Sequence, residues 1–152
     1  MKIITNRLVI RDYMESDLYN LYFALSSEEV CRYLTYRPFK HIEEAERELK
    51  SRLKRIEYLA ITLKDSTYIG ELYIKKENSG SYEIKFFLSN NFWHQGYALE
   101  ALQSLTDYYI ENKGAFKFVA YVIKENTSAC KLLDRCSFTM KNEKDGYYTY
   151  EL

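Results

Sequence analysis

The chain has 152 residues, 47% hydrophobic and 29% charged, the balance of an ordinary globular protein. Twenty-two Lys and Arg against 22 Asp and Glu disfavour a whole-surface nucleic-acid binder, which needs excess cations for phosphate contacts; only a local basic patch stays open. At this length roughly 68–70% of the unfolded surface is buried on folding, and no staple is needed. No run approaches the ~18–20 apolar residues of a membrane span. Lys2, Arg7, Arg11 and Asp12 interrupt the opening residues, which therefore lack the apolar core of a signal peptide. Cys31, Cys130 and Cys136 are odd in number, contain no CxxC, and read as reduced thiols of a cytoplasmic protein. With His41 and His94 as the two histidines and no HExxH, no metal site is expected. The 16 tyrosines suit half-buried sheet surface, with a few left to line a pocket.

Residues 3–12 mix β-branched and charged side chains and read as a first strand. Leu18, Leu21, Tyr22 and Leu25 predict a helix over about 15–26. Ser26-x-x-Glu29 resembles a capping box opening a second, short helix. Residues 33–40, aromatic, basic and broken by Pro38, read as a loop. Ile42, Ala45, Leu49, Leu53 and Ile56 mark a third helix, acidic early and basic late, as the helix dipole favours. Residues 57–64, 67–76 and 81–89 then read as three strands joined by short turns, hence antiparallel neighbours. In the last of them Tyr82, Ile84, Phe86 and Leu88 share one face; Glu83, Lys85 and Phe87 share the other. Gly96 opens a helix of about 17 residues that ends near Lys113-Gly114. Residues 116–123, apolar on both faces, predict a buried central strand, parallel to its predecessor through a right-handed crossover. A helix around Ala129, Leu132, Leu133 and Cys136 and a hairpin over 138–142 and 146–151 complete the order. With no linker and no repeat, residues 1–152 are expected to form one domain.

The signatures GxxxxGK[ST], GxGxxG and GxSxG are absent. The informative stretch runs from Ser81 to Leu102: a strand, a loop, a glycine and a small-residue helix start. Unpaired N–H groups in a helix's first turn, at the positive dipole end, form an anion site. Gly96 and Ala98 would let a phosphate approach the backbone closely, although a lone Gly-x-Ala also suits a plain turn.

The run Trp93-His-Gln-Gly-Tyr-Ala-Leu-Glu-Ala-Leu102 resembles the acetyl-CoA pyrophosphate loop of the GNAT N-acetyltransferases, whose pattern is Q/R-x-x-G-x-G/A. It most resembles the branch that includes the ribosomal-protein N-terminal acetyltransferases, which commonly carries Trp first. Three further blocks are similar in register: Thr5-Asn-Arg-Leu-Val-Ile-Arg11, Tyr68-Ile-Gly-Glu71, and Glu125-Asn-Thr-Ser-Ala-Cys-Lys-Leu-Leu-Asp-Arg-Cys-Ser-Phe138. Together they cover essentially the whole chain. The resemblance implies an α+β fold: a mixed, largely antiparallel sheet of about seven strands, helices on both faces and one parallel β-α-β unit. The family's serine three residues after the Asn is Ala129 here, so a thiolate-protonating role is vacant or shifted to Ser128. The glycine before the last Phe is Ser137.

The implied chemistry is direct transfer of acetyl from acetyl-CoA to a primary amine in a ternary complex, the amine being a protein N-terminus or a small molecule. The amine must lose a proton before it attacks, and a carboxylate can take it directly or through water. Glu83 is the candidate for that role, against the alternative of a solvated strand carboxylate. A backbone N–H among Phe87, Leu88 and Ser89 would receive the thioester oxygen. The N–H groups around Gln95, Gly96, Tyr97 and Ala98 would hold the pyrophosphate, with Trp93 and His94 also among the cofactor-binding residues. Asn126 would contact the pantetheine, unless it serves only as a helix cap. Tyr33, Tyr36, Arg37 and Phe39 lie where the family builds acceptor-facing loops. A degenerate module that binds CoA without transfer is the alternative. Neither nucleic acid nor membrane is an expected partner, and oligomeric state has no signature in this sequence.

Overall fold

The opening β-branched run breaks at Thr5, whose N–H donates to the Leu8 carbonyl at 3.0 Å. It therefore folds back as a hairpin, β1 (Lys2–Ile4) with β2 (Leu8–Asp12), instead of running as one strand. The computed structural model describes residues 1–35 and 37–152. Helices α1 (Leu18–Leu25), α2 (Glu28–Cys31) and α3 (Ile42–Leu53) follow. The cap of α2 is Ser27, not Ser26: its Oγ accepts the Val30 N–H. Then come β3 (Tyr58–Leu63), β4 (Tyr68–Lys76), β5 (Tyr82–Leu88), α4 (Tyr97–Lys113), β6 (Phe118–Ile123), α5 (Thr127–Arg135), β7 (Thr139–Lys144) and β8 (Tyr147–Glu151).

The eight strands form one sheet in the order β1-β2-β3-β4-β5-β6-β8-β7. The split first strand accounts for the eighth. Short turns make β1–β2, β3–β4, β4–β5 and β7–β8 antiparallel; β2–β3 and β6–β8 are antiparallel across longer connections, while the α4 crossover makes β5 and β6 parallel. On one face Ile10, Ile61, Ile69, Leu72 and Ile84 pack with Leu102 and Leu105 of α4 and Leu133 of α5. On the other, Leu21 and Leu25 of α1 and Ala45 and Leu49 of α3 pack against Ala60, Tyr68 and Phe87. The α1–α3 layer covers β5 at Phe87 but not at exposed Lys85, nor β6 at exposed Tyr121. So β6 is buried on both faces at its start, as expected, but not along its length: Phe118, Val119, Ala120 and Val122 are buried, while Tyr121 is 47% exposed. Burial pushes the Cys136 thiol up to about 11, which keeps it protonated at neutral pH. Among the described residues no helix is long and apolar enough to cross a membrane, and no group of side chains could hold a metal ion.

A buried charge cluster fastens α3 to the sheet. Arg52 Nε donates to Glu71 Oε2 at 2.5 Å, and Arg52 Nη1 donates to Glu48 Oε2 at 2.6 Å. Tyr13 donates its hydroxyl to Glu71 Oε2 at 2.6 Å. Burial pushes the Glu71 carboxyl above its ordinary range, and the Arg52 guanidinium and the Tyr13 hydroxyl pull it back. Removing one partner of a buried pair strands the other charge. Arg52→Ala should therefore lower the unfolding free energy by about 3–5 kcal/mol at neutral pH. The deficit should shrink in acid, where the stranded Glu71 protonates. Urea unfolding across pH checks this; a deficit under about 1 kcal/mol, the scale of an exposed pair, would contradict it.

Candidate active site

The β5–β6 ladder is short: Tyr82 pairs with Phe118 and Glu83 with Val119, and there the register ends. The rest of β5 stays with β4, to Leu88 opposite Gly70. In an antiparallel ladder successive residues turn their hydrogen-bonding groups to alternate sides. Ser89 donates its N–H to Ile69 O on the β4 side, and Tyr82 donates its N–H to Lys117 O on the β6 side. By that alternation Phe87 also faces β4, while Phe86 and Leu88 turn their N–H groups into the gap. Of the three residues expected around the thioester, Leu88 thus has its N–H in the right direction. The Leu88 carbonyl is held by Trp93, whose Nε1–H donates to it at 2.9 Å. Gly70 permits this packing. A Cβ there would overlap the Phe87 carbonyl oxygen and stand 2.9 Å from Leu88 Cα.

After β5 a 3-10 turn at Asn90–Phe92 leads into the loop. His94 has φ 59° and Gly96 φ 80°, both left-handed. Gly96 is the N-cap of α4, so a left-handed residue runs directly into a right-handed helix. Such a switch points successive N–H groups into one concavity, the geometry of an anion nest. The N–H groups of the first helical turn and the dipole add to it. On the opposite wall Asn126 caps α5, its Oδ1 accepting the Ala129 N–H at 3.2 Å. The cap uses the amide oxygen and leaves the two Nδ2 hydrogens for other partners.

These elements wall a groove of about 750 Å³. Of the sequence-expected residues, Phe87, Leu88, Trp93, His94, Gly96, Tyr97, Ala98, Asn126, Ser128 and Tyr33 line it. Ser89, Gln95, Arg37 and Glu83 are not among the lining residues. Phe39 is buried under α1, its N–H donating to Leu25 O at 2.8 Å, and so belongs to the core. Tyr36 lies outside the described residues. Glu83 sits at the last rung of the ladder, four residues before Phe87, or about 13 Å along the strand. Its carboxylate lies 3.3 Å from Lys85 Nζ and is 17% exposed. Burial, and then the Glu83 charge, push the neighbouring Tyr73 hydroxyl up. Arg32, Lys131 and Arg135 add positive charge to the groove. Lys131 and Arg135 stand four apart on α5, a spacing that puts them on one helical face and could have drawn attention to them in the sequence.

The family model for the acetyltransferase (GNAT) domain matches residues 7–139. The chain belongs to the GNAT acetyltransferase family. It is 30% identical over 154 residues to the uncharacterized N-acetyltransferase p20 of Bacillus licheniformis, covering 93% of this chain and 82% of the relative. A GNAT-family acetyltransferase crystal structure from Bacillus anthracis superposes with TM-score 0.92 at 19% identity, covering 100% of this chain and 98% of the other. RimL, a ribosomal L7/L12 alpha-N-protein acetyltransferase in complex with coenzyme A, superposes with TM-score 0.85 at 19% identity, over 100% and 97% of the two chains. These structural likenesses establish the fold. This GNAT protein is an acetyl-CoA-dependent acetyltransferase.

Gly96 carries two constraints: its φ is +80°, and a Cβ there would stand 3.3 Å from Arg7 Nη2. Gly96→Val should therefore abolish acetyl-CoA binding by titration calorimetry and leave a folded protein. Trp93→Ala is the control. Trp93 is 36% exposed, so its removal should cost about 2–3 kcal/mol, less than the ~3–5 of full burial, with a smaller effect on affinity. Undiminished binding by Gly96→Val would reduce the loop to a plain turn.

Proposed function

We propose that the chain transfers acetyl from acetyl-CoA to a primary amine by direct attack in a ternary complex. The observation that carries this reading is the opening of β5 from β6 onto the left-handed Gly96 turn. One structure thereby provides a slot through the sheet and an anion nest at its mouth. Acetyl-CoA would supply an activated thioester and a pyrophosphate handle. The N–H groups from Gly96 to Leu99 and the positive end of α4 fit the pyrophosphate, with His94 and Gln95 shaping the turn. Trp93 holds the end of β5 in place, so that the Leu88 N–H, with Phe86 beside it, can donate to the thioester oxygen as that oxygen gains negative charge. Asn126 would offer its spare amide hydrogens to the pantetheine. Ser128, which lines the groove, would take the proton-donor role toward the departing thiolate that Ala129 leaves vacant.

Glu83 lies about 13 Å from Phe87 along the strand, so it would take the amine proton through water. It faces the side of the sheet that α1–α3 leave open, beside exposed Lys85 and Tyr121. That open face favours the end of a polypeptide over a fully enclosed small amine, and Tyr33, which lines the groove, would face the acceptor. The three cysteines are unpaired, which suits a cytoplasmic setting.

Incubation with acetyl-CoA and purified ribosomal proteins, followed by intact mass, should show a gain of one acetyl group on an N-terminus. Acetylation of a small amine alone would exclude the polypeptide acceptor. In the same assay Glu83→Gln should lower kcat by ~10²–10⁴-fold at neutral pH. The loss should shrink as pH approaches the amine pKa, near ~8 for an α-amine, because free amine then needs no base. A loss equal at every pH, or none, removes Glu83 from this role.

A further inference from the structure

Arg7 grips the Gln95–Gly96 turn from behind. Its Nη1 donates to the Gln95 carbonyl at 2.9 Å and its Nε donates to Glu100 Oε2 at 2.7 Å. Its guanidinium carbon lies 4.4 Å from the centre of the Tyr97 ring. Glu100 Oε1 accepts the Arg7 backbone N–H at 2.8 Å and the Thr5 hydroxyl at 2.6 Å. Burial opposes ionisation of Glu100, but the bonds from Thr5 and Arg7 outweigh it and hold the carboxyl below its usual range. The guanidinium is thus fixed in place by an ionised partner. It is engaged on Glu100, Gln95 and Tyr97 together.

The side from which Arg7 acts decides its role. Arg7 lines a second, shallower cavity with Thr5, Glu100 and Asp107, and Gly96 borders both that cavity and the groove. A trans peptide sends its C=O and N–H in opposite directions. Drawing the Gln95 carbonyl toward Arg7 therefore turns the Gly96 N–H toward the groove. Converging N–H dipoles repel one another in the absence of an anion, and His94, a residue with a side chain, is held left-handed, which costs energy. The Arg7 grip offsets both effects before any ligand arrives, and pre-organisation of that kind raises affinity.

We propose that Arg7 is a positioning residue for the co-substrate. It orients the Gln95–Gly96 peptide for the pyrophosphate through Gln95 O, without touching the ligand. The proposal rests on the reading that this loop holds the pyrophosphate of acetyl-CoA. Two donors separate the possibilities: acetyl-CoA, and acetyl-pantetheine, which has the same thioester and no pyrophosphate.

For Arg7→Ala, kcat/KM with acetyl-CoA should fall about tenfold to a hundredfold, the worth of a charge-assisted hydrogen bond. The loss should lie in KM, with kcat kept, and acetyl-pantetheine turnover should be unchanged. Arg7→Lys should fail to rescue, because an ammonium cannot fork between Gln95 O and Glu100 and stack on Tyr97. Equal losses with both donors would make Arg7 a merely structural residue and overturn the proposal, as would no loss with either or failure of both variants to fold. If the unmodified protein shows no preference for acetyl-CoA over acetyl-pantetheine, the pyrophosphate reading itself fails. If the preference exists and Arg7→Ala keeps it, only the role of Arg7 fails.

Discussion

The site depends on a parallel ladder that ends after Glu83 and Val119. Each strand of that pair is held firmly on its far side. β5 follows β4 from Tyr82 to Leu88, and β6 follows β8 from Val119 to Ile123. Both obey a partner that leads away from the other, so the sheet opens between them. The opening leaves the backbone groups of Phe86 and Leu88 without a strand partner on that side. In a buried sheet such groups are costly unless something else satisfies them. Trp93 answers for the Leu88 carbonyl. On the proposed reading the thioester oxygen would take the Leu88 N–H, so that a break in strand pairing serves the chemistry.

The surroundings keep the opening from closing. Gly70 brings β4 so near the end of β5 that no side chain fits between them. On the α1–α3 face, Phe87 packs in the same cluster as Tyr68, which adjoins the Arg52–Glu71 pair through Tyr13. The charged cluster therefore sits directly behind the residue that lines the groove. On the other face α4 delivers both the helix dipole and Glu100, and Glu100 reaches back to Thr5 and Arg7 at the start of the chain. Residues far apart in sequence thereby converge on one turn, from opposite sides.

Much of this is legible in the amino-acid order where a local rule governs it. The two-residue alternation in 82–88 places Glu83 opposite the aliphatic stripe, and the structure keeps it there. Gly96 and Gly114 bracket α4 as a glycine at each end suggests, and both have positive φ. What escapes is what tertiary contacts decide. The turn at Thr5–Leu8 contains neither glycine nor proline, so the first strand reads as continuous. Phe39 shares a loop with exposed Arg37, and only the packing of α1 shows that it is core. Arg52 sits where a helix dipole welcomes any cation, yet Glu71 draws it inside. No period in the sequence links Arg7 to Glu100. The end of the β5–β6 ladder is invisible for the same reason: it follows from which neighbours hold the two strands, not from the residues at the gap.

The central claim is that the divergence of β5 from β6 and the left-handed turn at Gly96 form one co-substrate site. Amide NMR of the labelled protein during titration with CoA tests it most directly. The account predicts saturable shifts concentrated at Leu88, Gly96, Tyr97 and Asn126, with the hairpin from Thr139 to Glu151 largely still. Shifts concentrated elsewhere, or none at millimolar CoA, would contradict it.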